Sequence, residues 1–101
     1  MENLAIVDLG SNSARLAITK ISRNGEFHEV KRVKENSRLS EGMGPERMLQ
    51  PAAMDRTIAA LKRFKRLYTG MPNLTVVAIA TAAVRQAKNQ AAFLKRVKQE
   101  V

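Results

Sequence analysis

Two uncharged runs constrain this chain more than any other feature. Leu4-Ala5-Ile6-Val7 is apolar without a break and stops at Asp8-Leu9-Gly10. Leu74-Thr75-Val76-Val77-Ala78-Ile79-Ala80 is rich in β-branched residues, carries no charge and stops at Thr81. Short continuous runs of this kind read as strands buried on both faces, since a half-exposed strand would alternate apolar with polar residues. Both are therefore expected to be interior strands of one sheet. Neither approaches the roughly 20 apolar residues needed to cross a bilayer.

The segments around these runs supply a topology. Arg15–Ile21 has Leu16, Ile18 and Ile21 as its apolar members, and the tight polar segment Gly10-Ser11-Asn12-Ser13 can join it to the first run as an antiparallel hairpin. Asn24-Gly25 signals a second hairpin, because both residue types tolerate positive φ, and it leads into a third strand over 27–33. Residues 36–50 contain Ser37, Ser40, Gly42, Gly44 and Pro45, which break any period and predict a flexible loop. Pro51 suits the first turn of a helix whose apolar face is Met54, Ile58, Leu61, Phe64 and Tyr68, ended by Gly70-Met71-Pro72. Asn89 is a candidate N-cap for a last helix carrying Phe93, Val97 and Val101 on one face. The order is β-β-β-α-β-α. The helix between strands three and four permits a parallel return, which places strand four beside strand one in a mixed sheet.

Length and charge narrow the function. At 101 residues one domain is the limit. The absence of cysteine excludes disulfides and zinc-thiolate sites and fits a reducing cytoplasm. No secretory signal is visible at the N-terminus. The net charge of +9 is polarised: residues 1–50 carry 8 basic and 7 acidic side chains, residues 51–101 carry 10 and 2. Nucleic acid, a phosphate-rich ligand or an anionic surface would suit such a chain. Four aromatic residues in all are too few for single-stranded nucleic acid, which binds by stacking as well as charge. The basic run Lys62–Arg66 reads as a solvated helix face, and His28 as a sheet-surface residue.

Two segments carry chemistry. In Asp8-Leu9-Gly10-Ser11-Asn12-Ser13, a glycine at a strand end allows a positive-φ turn and close ligand approach, and the Ser-Asn-Ser donors suit phosphate oxygens. Asp8 could hold a divalent cation, directly or through water. In Thr81-Ala82-Ala83-Val84-Arg85, the threonine hydroxyl and the Arg85 fork suit an anion, and the alanines allow close approach. If the two uncharged strands lie parallel and adjacent, both segments leave the same carboxyl edge of the sheet, where ligands bind in α/β folds. Arg15 would add a second guanidinium.

These segments also resemble a known family. Asp8–Leu16 looks like the opening phosphate loop of the exopolyphosphatase / guanosine pentaphosphate phosphohydrolase family, and Ala80–Asn89 is similar to its second signature. Arg38–Met43 and the helix around Ala60–Phe64 resemble it as well. The resemblance implies a ribonuclease-H-like (actin-like) half domain, residues 1–101 being a single N-terminal subdomain. It implies hydrolysis of the terminal phosphoanhydride of polyphosphate or pppGpp, with Mg²⁺ as cofactor. On that pattern Gly10, Ser11, Asn12, Ser13, Arg15, Thr81 and Arg85 contact phosphate, and Asp8 lies near the metal.

The departures from the family pattern are equally informative. Family members continue into a Ser-Gly-x-Glu-Glu-Ala segment bearing the carboxylate thought to activate water, then a second phosphate loop and a second domain. None of these occurs within the 101 residues, so the catalytic carboxylate is expected beyond Val101 and this chain alone is expected to turn over negligibly. Gln86 stands where many members have Asp, and Ser40 where many have Gly. Glu41 and Glu46 read as solvated loop residues and not as general bases. The alternative is a stand-alone basic module that binds polyphosphate or nucleic acid without catalysis. A homodimer through exposed sheet-edge and helix surfaces is a further expectation.

Overall fold

Residues 2–101 are described by a computed structural model, the side chain of Ala82 excepted. Three strands open the chain: β1 (Glu2–Leu9), β2 (Ala14–Ile21) and β3 (Phe27–Glu35). They are followed by α1 (Pro51–Tyr68), β4 (Leu74–Ala80), the short α2 (Ala82–Gln86) and α3 (Gln90–Glu100). The sheet order is β3-β2-β1-β4, with β1 antiparallel to β2 and parallel to β4. This is the mixed α/β half-sheet expected from the order of elements. The one element not anticipated is α2, which is too short to show a period.

Alternation along the strands decides which face holds the core. Asn3, Ala5, Val7 and Leu9 of β1 and Ala14, Leu16 and Ile18 of β2 are buried, while their neighbours are only partly covered or exposed. The buried set packs against Ile58, Ala60, Leu61 and Phe64 of α1 and Phe93 of α3, with Val84 and Ala87 beside them. Met54 and Tyr68 of α1 and Val97 and Val101 at the chain end lie partly buried against the same core. The helices thus cover one face. Among the described residues no helix lies on the other face, which carries Leu4, Ile6, Asp8, Arg15 and Ala17.

Two expectations about the uncharged runs are corrected here. β1 is buried on one face only, Leu4, Ile6 and Asp8 being half-covered and Glu2 exposed. β4 is an edge strand and not an interior one: Val76, Val77 and Ile79 are 46%, 41% and 50% exposed. An uncharged sequence records that a strand tolerates burial, but what covers it is a property of neighbouring elements.

The segment 36–50 is also tighter than a flexible loop. Leu39 and Leu49 are fully buried in the core. Arg56 of α1 donates Nε to the Ser37 carbonyl at 3.1 Å and Nη2 to the Arg38 carbonyl at 3.2 Å, and it pairs with Glu41 at 3.1 Å. Asn89 occupies the N-cap position of α3, yet its side chain does not cap the helix. Its amide donates to the Leu49 carbonyl at 3.0 Å and its oxygen accepts from the Leu49 N–H at 2.9 Å, closing a two-bond clamp. At the second hairpin, only Gly25 takes positive φ, at 84°.

Ion pairs tie the helices together. Arg96 of α3 reaches Asp55 of α1 at 2.8 Å and Glu100 at 2.7 Å. The hydrogen bond from Arg96 holds the Glu100 carboxyl below the usual glutamate range. A carboxyl so lowered stabilises the fold above the ordinary glutamate pKa, and that contribution disappears as pH falls through the lowered value. In a carbon-detected NMR titration, Glu100 should titrate below the ordinary glutamate value, and Arg96→Gln should raise it.

Phe64 is completely buried at the centre of the core, whereas Val77 lies on the uncovered face. Phe64→Ala should cost about 3–5 kcal/mol through lost burial and a residual cavity. Val77→Thr should change stability by no more than about 0.5 kcal/mol. Urea denaturation of the two variants checks both values.

Candidate phosphate-binding site

The site is assembled by strand pairing. In the parallel register of β1 and β4, Leu9 and Ala80 are the last partners, so the segments that follow each strand start side by side. Thr81 fastens them. Its N–H donates to the Leu9 carbonyl at 3.1 Å, and its hydroxyl donates to the same oxygen at 2.7 Å. The hydroxyl proton expected to face an anion is therefore engaged within the protein, and Thr81 positions the loop that Leu9 begins. Its carbonyl also accepts the N–H groups of Val84 and Arg85, which starts α2 at the same point.

Gly10 turns the chain for a reason different from the one expected. Gly25, Gly42, Gly44 and Gly70 have positive φ, but Gly10 does not. Its requirement is space. The Gly10 N–H donates to the Ser13 carbonyl at 2.9 Å, and a Cβ on Gly10 would lie 2.6 Å from that oxygen. No side chain fits in so small a gap without opening the turn.

The loop is braced from behind by the middle segment. Arg38 N–H donates to the Asn12 carbonyl at 3.0 Å, and Ser40 donates both N–H and hydroxyl to the Ser11 carbonyl at 3.0 and 3.1 Å. Ser13 Oγ reaches Asn36 Oδ1 at 3.4 Å. Arg38 itself sits at φ 47°, a left-handed conformation unusual for a residue with a side chain. Sequence reasoning did not assign this bracing role to residues 36–40. These bonds to the carbonyls of Ser11 and Asn12 fix the orientation of the loop peptides.

A cavity of about 260 Å³ lies at the loop, lined by Asp8, Gly10, Ser11, Asn12, Ser13 and Arg15. Six of the predicted site residues are therefore together. Arg85 is exposed in the last turn of α2 and is not part of that lining, though it stands on the same carboxyl edge. The close approach expected at Ala82 lies outside the described residues. Asp8 has a buried Oδ1 with no hydrogen-bond partner among the described residues. A buried carboxylate oxygen without a donor is costly, and such an atom at a site edge suits a cation or an ordered water. Among the described residues no group of three or more His, Asp or Glu could hold a metal by itself. The donor set therefore fits Mg²⁺ bound through one carboxylate with water and phosphate oxygens completing its shell, the usual habit of that ion.

The remaining candidates fall where the sequence put them. His28 and Glu46 are exposed. Glu41 is engaged by Arg38 and Arg56. Within the basic run on α1, Arg63 is paired with Glu35 of β3, donating Nε at 2.9 Å, and Lys62 lies 4.0 Å from Glu100. Among the described residues no helix is long and apolar enough to cross a membrane.

The model of the Ppx/GppA phosphatase family matches residues 17–101. The chain belongs to that family. Among curated relatives, it is 33% identical over 98 residues to the guanosine-5'-triphosphate,3'-diphosphate pyrophosphatase of Pseudoalteromonas atlantica, covering 97% of this chain and 19% of that one. Among solved structures, the Ppx/GppA family member of Aquifex aeolicus superposes with a TM-score of 0.89 at 35% identity, covering 99% of this chain and 32% of that one. An exopolyphosphatase from Cytophaga hutchinsonii superposes with a TM-score of 0.92 at 29% identity, again over 99% and 32%. The chain spans between 15% and 29% of the length of the first curated relatives it matches. The family match starts at Ala17, after the loop, so the loop's geometry is evidence separate from it.

Gly10→Ala should lose about 1–3 kcal/mol of stability, the range for forcing atoms into a filled space. Thr81→Val should cost about 1 kcal/mol by removing one hydrogen bond, and Thr81→Ser should retain most of it. Equilibrium unfolding of the three variants, with amide exchange of residues 10–13, provides the test.

Proposed function

We propose that the chain is the phosphate-gripping N-terminal part of a phosphoanhydride hydrolase acting on inorganic polyphosphate or pppGpp. The observation carrying this reading is the convergence of Gly10–Ser13 and Thr81–Arg85 at one carboxyl edge, tied by the two bonds from Thr81 to Leu9. Ser11, Asn12 and Ser13 present loop donors to a terminal phosphate, in a turn closed by the bond from the Gly10 N–H to the Ser13 carbonyl. Arg15 and Arg85 supply guanidinium forks from either side, and Thr81 holds the two segments in register. Asp8, with its unpartnered oxygen, would hold Mg²⁺ directly or through water. When bound, the ion would offset phosphate charge. Stabilising charge on the transferred phosphoryl group is the main requirement of such chemistry. Asp8 is the one carboxylate lining the loop cavity and is assigned here to the cation, which leaves the cavity without a general base among the described residues, so this chain binds without appreciable turnover. A cytoplasmic setting accompanies this reading.

The competing reading, a basic module binding through α1, is less well supported because Arg63 and Lys62 already face Glu35 and Glu100. Calorimetric titration with tripolyphosphate separates the two. Arg15→Ala or Arg85→Ala should each weaken binding about tenfold or more, in line with a lost charge-assisted contact. Asp8→Asn should remove the dependence of that affinity on Mg²⁺. Unchanged affinity in both arginine variants would exclude the loop site, and phosphate release at the rate of a full-length relative would exclude the inactivity.

A further inference from the structure

We infer that Arg56 of α1 is a positioning residue for the phosphate loop, acting by holding Arg38 in the left-handed conformation from which its N–H braces Asn12. This rests on the loop reading above and extends the site to a side chain outside its cavity.

The geometry is a clamp around one strained residue. Arg38 has φ 47°, where a Cβ crowds the neighbouring carbonyl and few residues other than glycine, asparagine and aspartate settle. Such a conformation persists only when its surroundings over-determine it. The carbonyls on either side of the Arg38 α-carbon are those of Ser37 and of Arg38 itself. Arg56 takes both, through Nε at 3.1 Å and Nη2 at 3.2 Å. Fixing the two flanking peptides fixes φ and ψ between them. The Arg38 carbonyl also accepts the Glu41 N–H at 3.0 Å. The Glu41 carboxylate joins the two guanidiniums, 3.1 Å from Arg56 and 3.3 Å from Arg38.

One planar peptide carries this hold to the loop. The Ser37 carbonyl and the Arg38 N–H belong to the same rigid unit, so they cannot turn independently. Arg56 holds the carbonyl end, and the N–H end donates to the Asn12 carbonyl at 3.0 Å. Ser37 is buried, yet its hydroxyl has no hydrogen-bond partner among the described residues, so the hold at this position runs through the backbone. Leu39, fully buried, anchors the next residue, and Ser40 then reaches the Ser11 carbonyl. Arg56 does not line the loop cavity, so its route to a bound phosphate is this peptide. Without the fork, Arg38 is free to leave the left-handed region, and the Asn12 carbonyl loses its donor.

The test combines calorimetric titration of the chain with tripolyphosphate and amide exchange at Arg38 and Ser40. Arg56→Gln should weaken tripolyphosphate binding about fivefold or more, the scale of one left-handed residue's strain, and should speed exchange of the Arg38 amide. Arg56→Lys, which keeps the charge without the planar fork, should lose affinity in the same direction. Arg96→Gln, which removes a guanidinium bonded to Asp55 and Glu100, should leave affinity within about twofold and both amides unchanged. In an Arg38→Gly background, where positive φ carries no strain, Arg56→Gln should cost no more than about twofold. That rescue distinguishes positioning from general loss of stability. Parent-like affinity in both Arg56 variants overturns the inference, as does an equal loss in Arg96→Gln or the same loss in both backgrounds. If Arg15→Ala still weakens binding in those cases, the loop reading survives. If the parent does not bind tripolyphosphate, both readings fall.

Discussion

The parallel pairing of β1 with β4 is the constraint on which the rest of this structure depends. It is a long-range contact, closing the chain between residues 9 and 80, and it needs a crossover through α1 to exist at all. Without it Gly10–Ser13 would be an ordinary hairpin turn and Thr81–Arg85 an ordinary helix entry. With it, two polar segments that are weak signals separately become neighbours. The Leu9 carbonyl, accepting both donors of Thr81, is the point at which pairing is converted into site geometry.

The middle segment shows how a run rich in glycine and serine can still be ordered. Its leucines, Leu39 and Leu49, enter the core, and polar side chains from distant helices satisfy its backbone. Arg56 grips the carbonyls at 37 and 38 from α1, and Asn89 grips both polar groups of Leu49 from the start of α3. Buried or half-buried backbone groups must find partners, and here side chains supply what a ladder or helix would otherwise provide. The support then passes forward, since Arg38 and Ser40 donate to the carbonyls of the loop itself.

Much of this was legible from residue pattern. The periods of α1 and α3, the two hairpins and the adjacency of β1 and β4 follow from spacing and from the rule that parallel strands need a crossover. The gathering of Asp8 to Arg15 around one cavity was legible from a strand-end glycine followed by clustered small donors, a pattern that on its own also suits an ordinary hairpin turn. What was not legible depends on register and on neighbours. The uncharged composition of β4 could not show that one of its edges and much of its surface are open. Nor could it be read that the Thr81 hydroxyl turns back to Leu9, or that Gly10 is needed for space and not for φ. Asn89 has the composition of a cap, and only the tertiary fold shows its side chain used across 40 residues of chain. Lys34 lies beside Arg15 only through the β2–β3 register, which a bulge between Ile18 and Thr19 interrupts farther along.

The close fit between Gly10 and Ser13 has a thermodynamic consequence for recognition. A glycine-rich loop left free would surrender conformational freedom on meeting an anion, and that loss would subtract from affinity. Here the turn is already closed by its own hydrogen bond and held from behind by Arg38 and Ser40. The entropy of arranging the donors is lost when the chain folds, before any ligand arrives. The loop is therefore a rigid template, and an anion meeting it would be selected by a shape that a flexible segment of the same composition could not hold.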